Sequence, residues 1–306
     1  MSEMQTPASE RRTGAHRAFS PARIGAIASN TLLELVRLKV FYFLLIFAVA
    51  VIGSSAFSVK FTFQQQFQVL KDVSLGAMGI FTWLLATLAT AMLLPKDMED
   101  RTLYTILAKP VPRLEYLLGK LAGVLLMLGA ALAMMSVVFL AVLYWRQQVA
   151  FADTRALYSP GPELDAAIGA IRSETFNVNL IPGVVAIYLK AAVVASLTLL
   201  LSTFASSWIF TVIVSVVVYF IGHVQPIARE YWLASAGPVD PSPLLKVFFG
   251  FIALVFPDFQ LFNLVDDIVV GTAVPAAVFA QTAGFGAGYV AVYTLVGYIL
   301  FANREL

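Results

Sequence analysis

Apolar residues occur along the chain in six long runs, each close to the length of a membrane-crossing helix. A helix needs roughly 20 consecutive apolar residues to cross the hydrocarbon core, with every backbone group bonded within the segment. The pattern therefore predicts an all-α integral membrane protein with six transmembrane helices. The predicted spans are Val40–Val59, Ser74–Leu94, Leu121–Tyr144, Ile181–Ser202, Trp208–His223 and Ala276–Phe301, of which the fifth is short and extends toward Ile227.

The segment 20–39, before the first span, has the periodicity of an amphipathic helix. Ser20 followed by Pro21 is typical of a helix start. This pattern predicts a helix that lies in the membrane interface. The alternative is that the segment continues the first span straight into the cytosol. Its apolar face is Ile24, Ile27, Ala28, Thr31, Leu35 and Leu38, and its polar face is Arg23, Asn30, Glu34 and Arg37.

Three other regions lie outside the spans. Residues 1–19 are polar and predict a disordered cytosolic tail. Residues 146–180 predict an outer loop, with a short helix from Glu163 to Ile171. Within 224–275, the apolar run Val247–Phe256 ends at Pro257; it is too short to cross and too apolar for water, which predicts a re-entrant hairpin on the outer side.

Composition supports the membrane class. Hydrophobic residues make up 60% of the chain and charged residues 12%, whereas soluble domains carry about 25% charged residues. The net charge of +2 is too small to indicate a nucleic-acid partner, and with no cysteine there is no disulfide framework or thiolate chemistry.

The distribution of basic residues predicts the topology. Lys and Arg near the ends of spans mark the cytoplasmic side, and five of them lie between the second and third spans: Lys96, Arg101, Lys109, Arg113 and Lys120. With six spans, this arrangement places both termini in the cytoplasm.

No motif in the sequence indicates catalysis or a resident cofactor. Gly119-Lys120 lacks the spacing of a phosphate-binding loop. His16 and His223 fall on opposite predicted sides, which argues against a histidine metal site. Asp266 and Asp267 are adjacent and predict a solvated outer turn. We therefore expect no catalytic residue and no metal or cofactor bound by this chain.

Two features within the spans invite a functional interpretation. Lys190 falls near mid-membrane if the fourth span begins at Ile181, where a charge is costly unless it is paired or wetted, so it is a candidate for the translocation path. The alternative is that it snorkels outward. Gly284 and Gly288 form a small-xxx-small pair, which permits close helix packing either between subunits or within the protomer.

The charged segment 96–110 predicts a short cytosolic helix, from Asp97 to Ala108, between the second and third spans. Acidic residues stand at its amino end, Lys109-Pro110 closes it, and Leu103, Ile106 and Leu107 form a compact apolar side. Such a helix is suited to docking a soluble partner, and its short connections would pass movement on to both spans.

The sequence of this segment resembles that of type-2 ABC exporter permeases. The similar runs are Glu99-Asp100-Arg101-Thr102-Leu103, Leu107-Ala108-Lys109-Pro110-Val111-Pro112-Arg113-Leu114-Glu115-Tyr116 and Gly119-Lys120, with the closing Arg304-Glu305-Leu306. The resemblance implies that 96–110 is a coupling helix which docks a separate ATPase subunit. The implied docking residues are Asp97, Glu99, Asp100, Arg101, Thr102, Leu103, Tyr104, Leu107, Lys109, Pro110 and Arg113.

The resemblance also implies a function and a set of partners. The chain would be the non-catalytic permease subunit of an ATP-driven exporter in the cytoplasmic (inner) membrane of a bacterium, with ATP and Mg²⁺ bound by the ATPase. A second copy or a sister permease, membrane lipid and a partner at the outer loops would complete the assembly. The alternatives are an ion-coupled secondary transporter or channel, and a membrane anchor that transmits force without moving a substrate.

Overall fold

The computed structural model describes residues 19–57, 63–99, 111–176, 180–205, 207–233, 243–264, 268–269 and 274–303. Within these ranges the regular elements are all helical. The α-helices are α1 Pro21–Val36, α2 Lys39–Ser54, α3 Phe63–Glu99, α4 Arg113–Leu157, α5 Pro162–Thr175, α6 Leu180–Phe204, α7 Trp208–Leu233, α8 Pro243–Val255 and α9 Ala276–Ala302. Short 3-10 turns follow at Ser55–Phe57 and Phe259–Phe262.

The six predicted spans are confirmed as helices. The described residues contain 6 helices that are long and apolar enough to cross a membrane, and they correspond to α2, α3, α4, α6, α7 and α9. The apolar part of α7 extends to Ile227, as the sequence suggested. The chain is therefore a multi-pass membrane protein, and α8 is a shorter apolar helix beside α7.

Three helices extend well beyond their predicted spans. α3 begins at Phe63 and not at Ser74, α4 begins at Arg113 and not at Leu121, and α7 continues past His223 to Leu233. α3 continues through Pro95 to Glu99, so Lys96 and Asp97 belong to its last turns and do not begin a separate helix. α4 continues to Leu157, so the first part of the predicted outer loop 146–180 is helical. The prediction followed the apolar runs, but a helix remains hydrogen-bonded after its side chains become polar. The predicted helix Glu163–Ile171 is confirmed as part of α5.

The helix contacts define two ends of the bundle. The start of α1, the end of α3, the start of α4 and the end of α9 lie together, joined by the side-chain bonds described below. We call this the α1 end. The opposite end, the α5 end, carries α5, which Lys71 of α3 holds by donating a 2.6 Å hydrogen bond to the Glu174 carbonyl.

α1 is a separate helix and not a straight continuation of α2. Leu38, between them, has an extended backbone with φ −68° and ψ 131°. The predicted apolar face of α1 is the one that packs, since Ala28, Thr31 and Leu35 are buried against the bundle. Ser20 stands at the N-cap as predicted, but its hydroxyl makes no capping bond. Placement of α1 in the membrane interface stays a prediction.

Candidate functional site

A cluster of polar side chains at the α1 end surrounds the helix ends that flank residues 100–110. Glu115, in the first turn of α4, is 1% exposed. It accepts hydrogen bonds from the Ser20 backbone N–H at 2.9 Å, from Arg23 Nε at 2.5 Å and from Arg23 Nη2 at 2.7 Å. The side-chain bond raises the pKa of Arg23 and so favours the charged guanidinium. This ion pair fixes the start of α1 to the start of α4.

A second set of contacts joins α1, α3 and α4. Lys120 is 4% exposed and lies 2.7 Å from Asp97 Oδ2 and 3.6 Å from Glu34 Oε2. Tyr116 donates a hydrogen bond to Asp97, which is itself buried. Lys96 lies 3.0 Å from Glu34 Oε1. Buried charges are stable only when they are paired in this way, so the three helices are held in one arrangement.

Arg113 connects the start of α4 to the end of α9. Its Nη1 donates to the carbonyl oxygens of Phe301 at 2.9 Å and Ala302 at 2.6 Å. Carbonyls in the last turn of a helix have no partner within the helix, so a guanidinium is a favourable cap there. The Tyr116 ring also stacks on Phe301, with centroids 6.0 Å apart. The last span is therefore tied to the same cluster.

Two glycines of α4 allow α1 to pack closely against it. A Cβ at Gly119 would lie 2.6 Å from Ile27 Cβ, and one at Gly123 would lie 2.6 Å from Thr31 Cβ. Neither position has room for a side chain. Side chains of α1 therefore pack directly on the backbone of α4 at these two glycines, a contact that a larger residue would block.

The structure covers part of the predicted docking set. Asp97 is buried among Tyr116 and Lys120, and Arg113 contacts α9. Glu99 is the last residue of α3. The remaining members lie outside the described residues: Asp100, Arg101, Thr102, Leu103, Tyr104, Leu107, Lys109 and Pro110. The sequence analysis did not identify Glu34 and Glu115 as partners of this cluster, although acids beside span ends are a detectable signal.

Lys190 lies inside the bundle, about 15 Å along α6 from its first residue. Its Nζ is 3.0 Å from His223 Nε2, and it stands 5.6 Å from the centre of the Tyr219 ring and 6.0 Å from that of Phe259. Contacts with ring faces stabilise an ammonium. Its side chain points toward these groups and not toward the helix end, and no pattern in the sequence indicates the pairing with His223.

The bonds of His223 determine which of its nitrogens carries hydrogen. Nδ1 lies 2.9 Å from the Tyr219 carbonyl oxygen, which can only accept, so Nδ1 is the donor. Nε2 is then free to accept a hydrogen bond from the Lys190 ammonium. A doubly protonated ring would donate from both nitrogens and place a second cation beside the first. The pair therefore carries one positive charge.

Lys190 borders a cavity of about 240 Å³ between α3, α6, α7 and the 3-10 turn Phe259–Phe262. We call it the Lys190 cavity. Trp83 stacks on Tyr219 in its wall, with ring centroids 4.3 Å apart. The complete lining is Asp72, Leu75, Gly76, Gly79, Ile80, Trp83, Ile187, Lys190, Ala191, Val194, Tyr219, Phe262 and Asn263.

Gly284 and Gly288 lie on an open face of α9. A Cβ at either position would meet no atom within 4 Å, whereas one at Gly286 would lie 3.1 Å from Phe262. The sequence left open whether Gly284 and Gly288 pack between subunits or within the protomer. Among the described residues, no helix of the protomer packs against them. The two glycines line an apolar groove of about 500 Å³, together with Phe285, Tyr289 and Val292 among others.

Among the residues that the structure describes, no group of three or more His, Cys, Asp or Glu side chains is placed to hold a metal ion. The predicted turn at Asp266 and Asp267 lies outside those residues.

The model of a family described as "ABC-2 family transporter protein" matches residues 26–306. No curated protein matches the chain. The match extends over all six spanning helices and both sites described above, apart from Ser20 and Arg23 of the polar cluster.

Proposed function

Because the chain belongs to the ABC-2 transporter family, we propose that it is the transmembrane permease subunit of an ATP-driven exporter. The ATPase is a separate chain that binds ATP and Mg²⁺, and the permease contributes no catalytic residue of its own. The observation that carries the coupling proposal is the polar cluster at the α1 end, which surrounds the helix ends on either side of residues 100–110.

The cluster supports a route by which movement of a docked ATPase reaches the spans. Residues 100–110 connect α3 directly to α4, and the Lys120–Asp97 pair holds those two helices together. Glu115 joins α1 to these two helices through its ion pair with Arg23, and Arg113 joins α9 to them through the Phe301 carbonyl. A displacement at 100–110 would therefore move four helices together, which is the rigid-body type of conformational change.

The proposal places the α1 end in the cytoplasm of a bacterium and the α5 end outside the cytoplasmic (inner) membrane. Both termini are then cytoplasmic, and α1 lies in the membrane interface. α8 forms the re-entrant element, and α5 offers a surface to an extracytoplasmic partner. Lys190 faces the translocation path. Support for the path comes from the cavity at Lys190, and support for the orientation comes from the basic residues near 96–120.

Co-purification with the ATPase tests the docking proposal. We expect Glu99→Ala and Arg101→Glu to lower the amount of ATPase recovered with the permease by on the order of tenfold, equivalent to about 1.4 kcal/mol of binding free energy. The control is Arg172→Glu, an exposed position on α5 at the other end of the bundle. Undiminished recovery with both docking variants would contradict the proposal, and so would transport by the permease alone in liposomes.

We propose further that the open face of α9 meets a second permease copy or a sister subunit through Gly284 and Gly288. The open groove at these glycines supports this, because it leaves space for a neighbouring helix to approach closely. The chain has no cysteine, so Gly288→Cys provides a single reactive position. We expect it to form a crosslinked dimer in membranes, whereas Gly286→Cys, which faces Phe262 inside the protomer, does not.

A further inference from the structure

The chemistry of the Lys190 cavity indicates what kind of group it binds. Lys190 carries three N–H donors, and the described structure gives them one hydrogen-bond partner, the neutral ring of His223. No carboxylate of the described residues forms an ion pair with Lys190 in the structure. The ammonium also lies over the ring faces of Tyr219 and Phe259, which stabilise a cation without neutralising it. The carboxylate of Asp258, next to Phe259, is paired with Arg229 at 3.2 Å.

An uncompensated ammonium inside a membrane-spanning bundle is costly. An anionic group in the cavity would accept its two remaining N–H bonds and cancel its charge. Charge-assisted hydrogen bonds of this type are roughly twice as strong as neutral ones. One carboxylate, Asp72, also lines the cavity, but it is solvent-exposed and forms no ion pair with Lys190 in the structure. It lies about 16 Å along α3 from Trp83, the residue that stacks on Tyr219 beside Lys190.

Apart from Lys190, Asp72, Asn263 and the Tyr219 hydroxyl, the cavity is lined mainly by apolar side chains. Leu75, Ile187 and Val194 contribute to its wall. Ile80, also in the wall, is 56% exposed and lies in the middle of a membrane-spanning helix. An opening beside Ile80 would face hydrocarbon at that depth, whereas the exposed Asp72 lines the cavity nearer the α5 end. The volume of about 240 Å³ is below the usual range for a complete drug-sized ligand, so it suits one head group.

From these observations we propose that the Lys190 cavity binds the anionic head of an amphiphile, a phosphate or carboxylate group attached to an apolar chain. The head accepts hydrogen bonds from Lys190 beside Tyr219 and Phe259, and the apolar chain leaves past Ile80. This inference rests on the proposed function, because the bound amphiphile is the class of substrate that the permease would export.

Fluorescence of Trp83 gives a direct test on the purified full-length chain in neutral-lipid nanodiscs. Replacing Trp145, Trp208 and Trp232 by Phe leaves Trp83, in the cavity wall, as the only tryptophan. The probes are octyl phosphate, octanoate, inorganic phosphate and octyltrimethylammonium. We expect a saturable fluorescence change with at least one of the two octyl anions, at least tenfold weaker binding of inorganic phosphate, and no saturable change with the octyl cation.

Variants identify the group responsible. Lys190→Met is expected to weaken binding of the octyl anion by at least tenfold, and Lys190→Arg, which keeps the charge, by about threefold at most. Lys39→Met, which removes an exposed cation at the start of α2, should leave binding unchanged. Retention of the arginine variant's binding shows that a positive charge at this position is sufficient, and a thermal unfolding midpoint of Lys190→Met close to that of the unmodified chain shows that its loss of binding is not a folding defect.

Three results would overturn the inference: equal binding of the octyl cation, equal binding of inorganic phosphate, or unchanged binding by Lys190→Met. Co-purification of the ATPase with the unmodified chain is measured in parallel. A chain that binds its ATPase but no octyl anion rejects this inference and leaves the proposed function in place. A chain that binds the octyl anion but no ATPase rejects the proposed function.

Discussion

Two lysines at the α1 end contact the same acid in different surroundings. The Lys120 side chain is 4% exposed and bridges Asp97 and Glu34, whereas the Lys96 side chain is 43% exposed and reaches Glu34 from the edge of the cluster. Burial decides the energy of an ion pair, because water screens an exposed pair and leaves a buried one at nearly full strength.

Replacing these lysines by methionine should therefore have unequal effects. Lys120→Met removes the buried ammonium that lies 2.7 Å from the Asp97 carboxylate, and we expect it to lower the free energy of unfolding by about 3 kcal/mol. Lys96→Met should lower it by about 1 kcal/mol at most. Unfolding in mixed micelles measures both. Equal losses for the two variants would contradict the burial argument.

The sequence identified these residues only in part. It placed Lys120 among basic residues near a span end and Asp97 in a docking helix, but the partners come from α1, α3 and α4 and lie far apart along the chain. The same limit applies to Lys190. Its place in a span indicated an unusual lysine, whereas the contact with His223 of α7 depends on how two helices pack, which local patterns do not specify.

At the scale of elements, the contact between α1 and α4 depends on two glycines. An added methyl group at Gly123 would lie 2.6 Å from Thr31 Cβ and 2.8 Å from the Ala28 carbonyl oxygen, so α1 would have to shift. Gly25, an exposed position on α1, would have no atom within 4 Å of an added methyl group. The two sites form a matched pair for testing whether close packing holds α1 in place.

We expect Gly123→Ala to destabilise the protein by about 1–3 kcal/mol, the usual cost of overpacking. It should also speed amide hydrogen exchange along α1. Gly25→Ala should leave the exchange unchanged or slow it, because alanine favours a helix by about 0.5–1 kcal/mol over glycine. Faster exchange in Gly25→Ala than in Gly123→Ala would be inconsistent with this packing.

The elements themselves were largely predictable. Six apolar runs specified six spanning helices, and the face of α1 that carries Ala28, Thr31 and Leu35 is the buried one. The predicted carboxyl ends of α3 and α4 were wrong because residues 96–99 and 146–157 carry charged and amide side chains, and hydropathy detects where a span leaves the hydrocarbon but not where its helix stops.

At the scale of the whole molecule, the proposed topology places the two ends of α4 on opposite sides of the membrane. Single cysteines test it, since the natural chain has none. Lys109→Cys, before α4, should react with a membrane-impermeant maleimide only after cells are permeabilised. Ser159→Cys, exposed just after α4, should react once the outer membrane alone is opened. The reverse pattern would contradict the proposed topology, because it would place the α1 end outside the cytoplasm.

The length of α4 has a consequence for how the chain tolerates insertions. α4 has 45 residues, which gives a rod of about 67 Å, far longer than the hydrocarbon core of about 30 Å. Its first turns fit α1 at Gly119 and Gly123, and near its other end Thr154 is 1% exposed beside α5. One residue added between these points would rotate everything beyond it by about 100° and advance it by about 1.5 Å. The number of residues between these points therefore sets the angle between the surface of α4 that packs on α1 and the surface that packs beside α5. A single-residue insertion in the middle of α4 would break one of these two contacts, whereas an insertion in the turn at 159–161 would be tolerated.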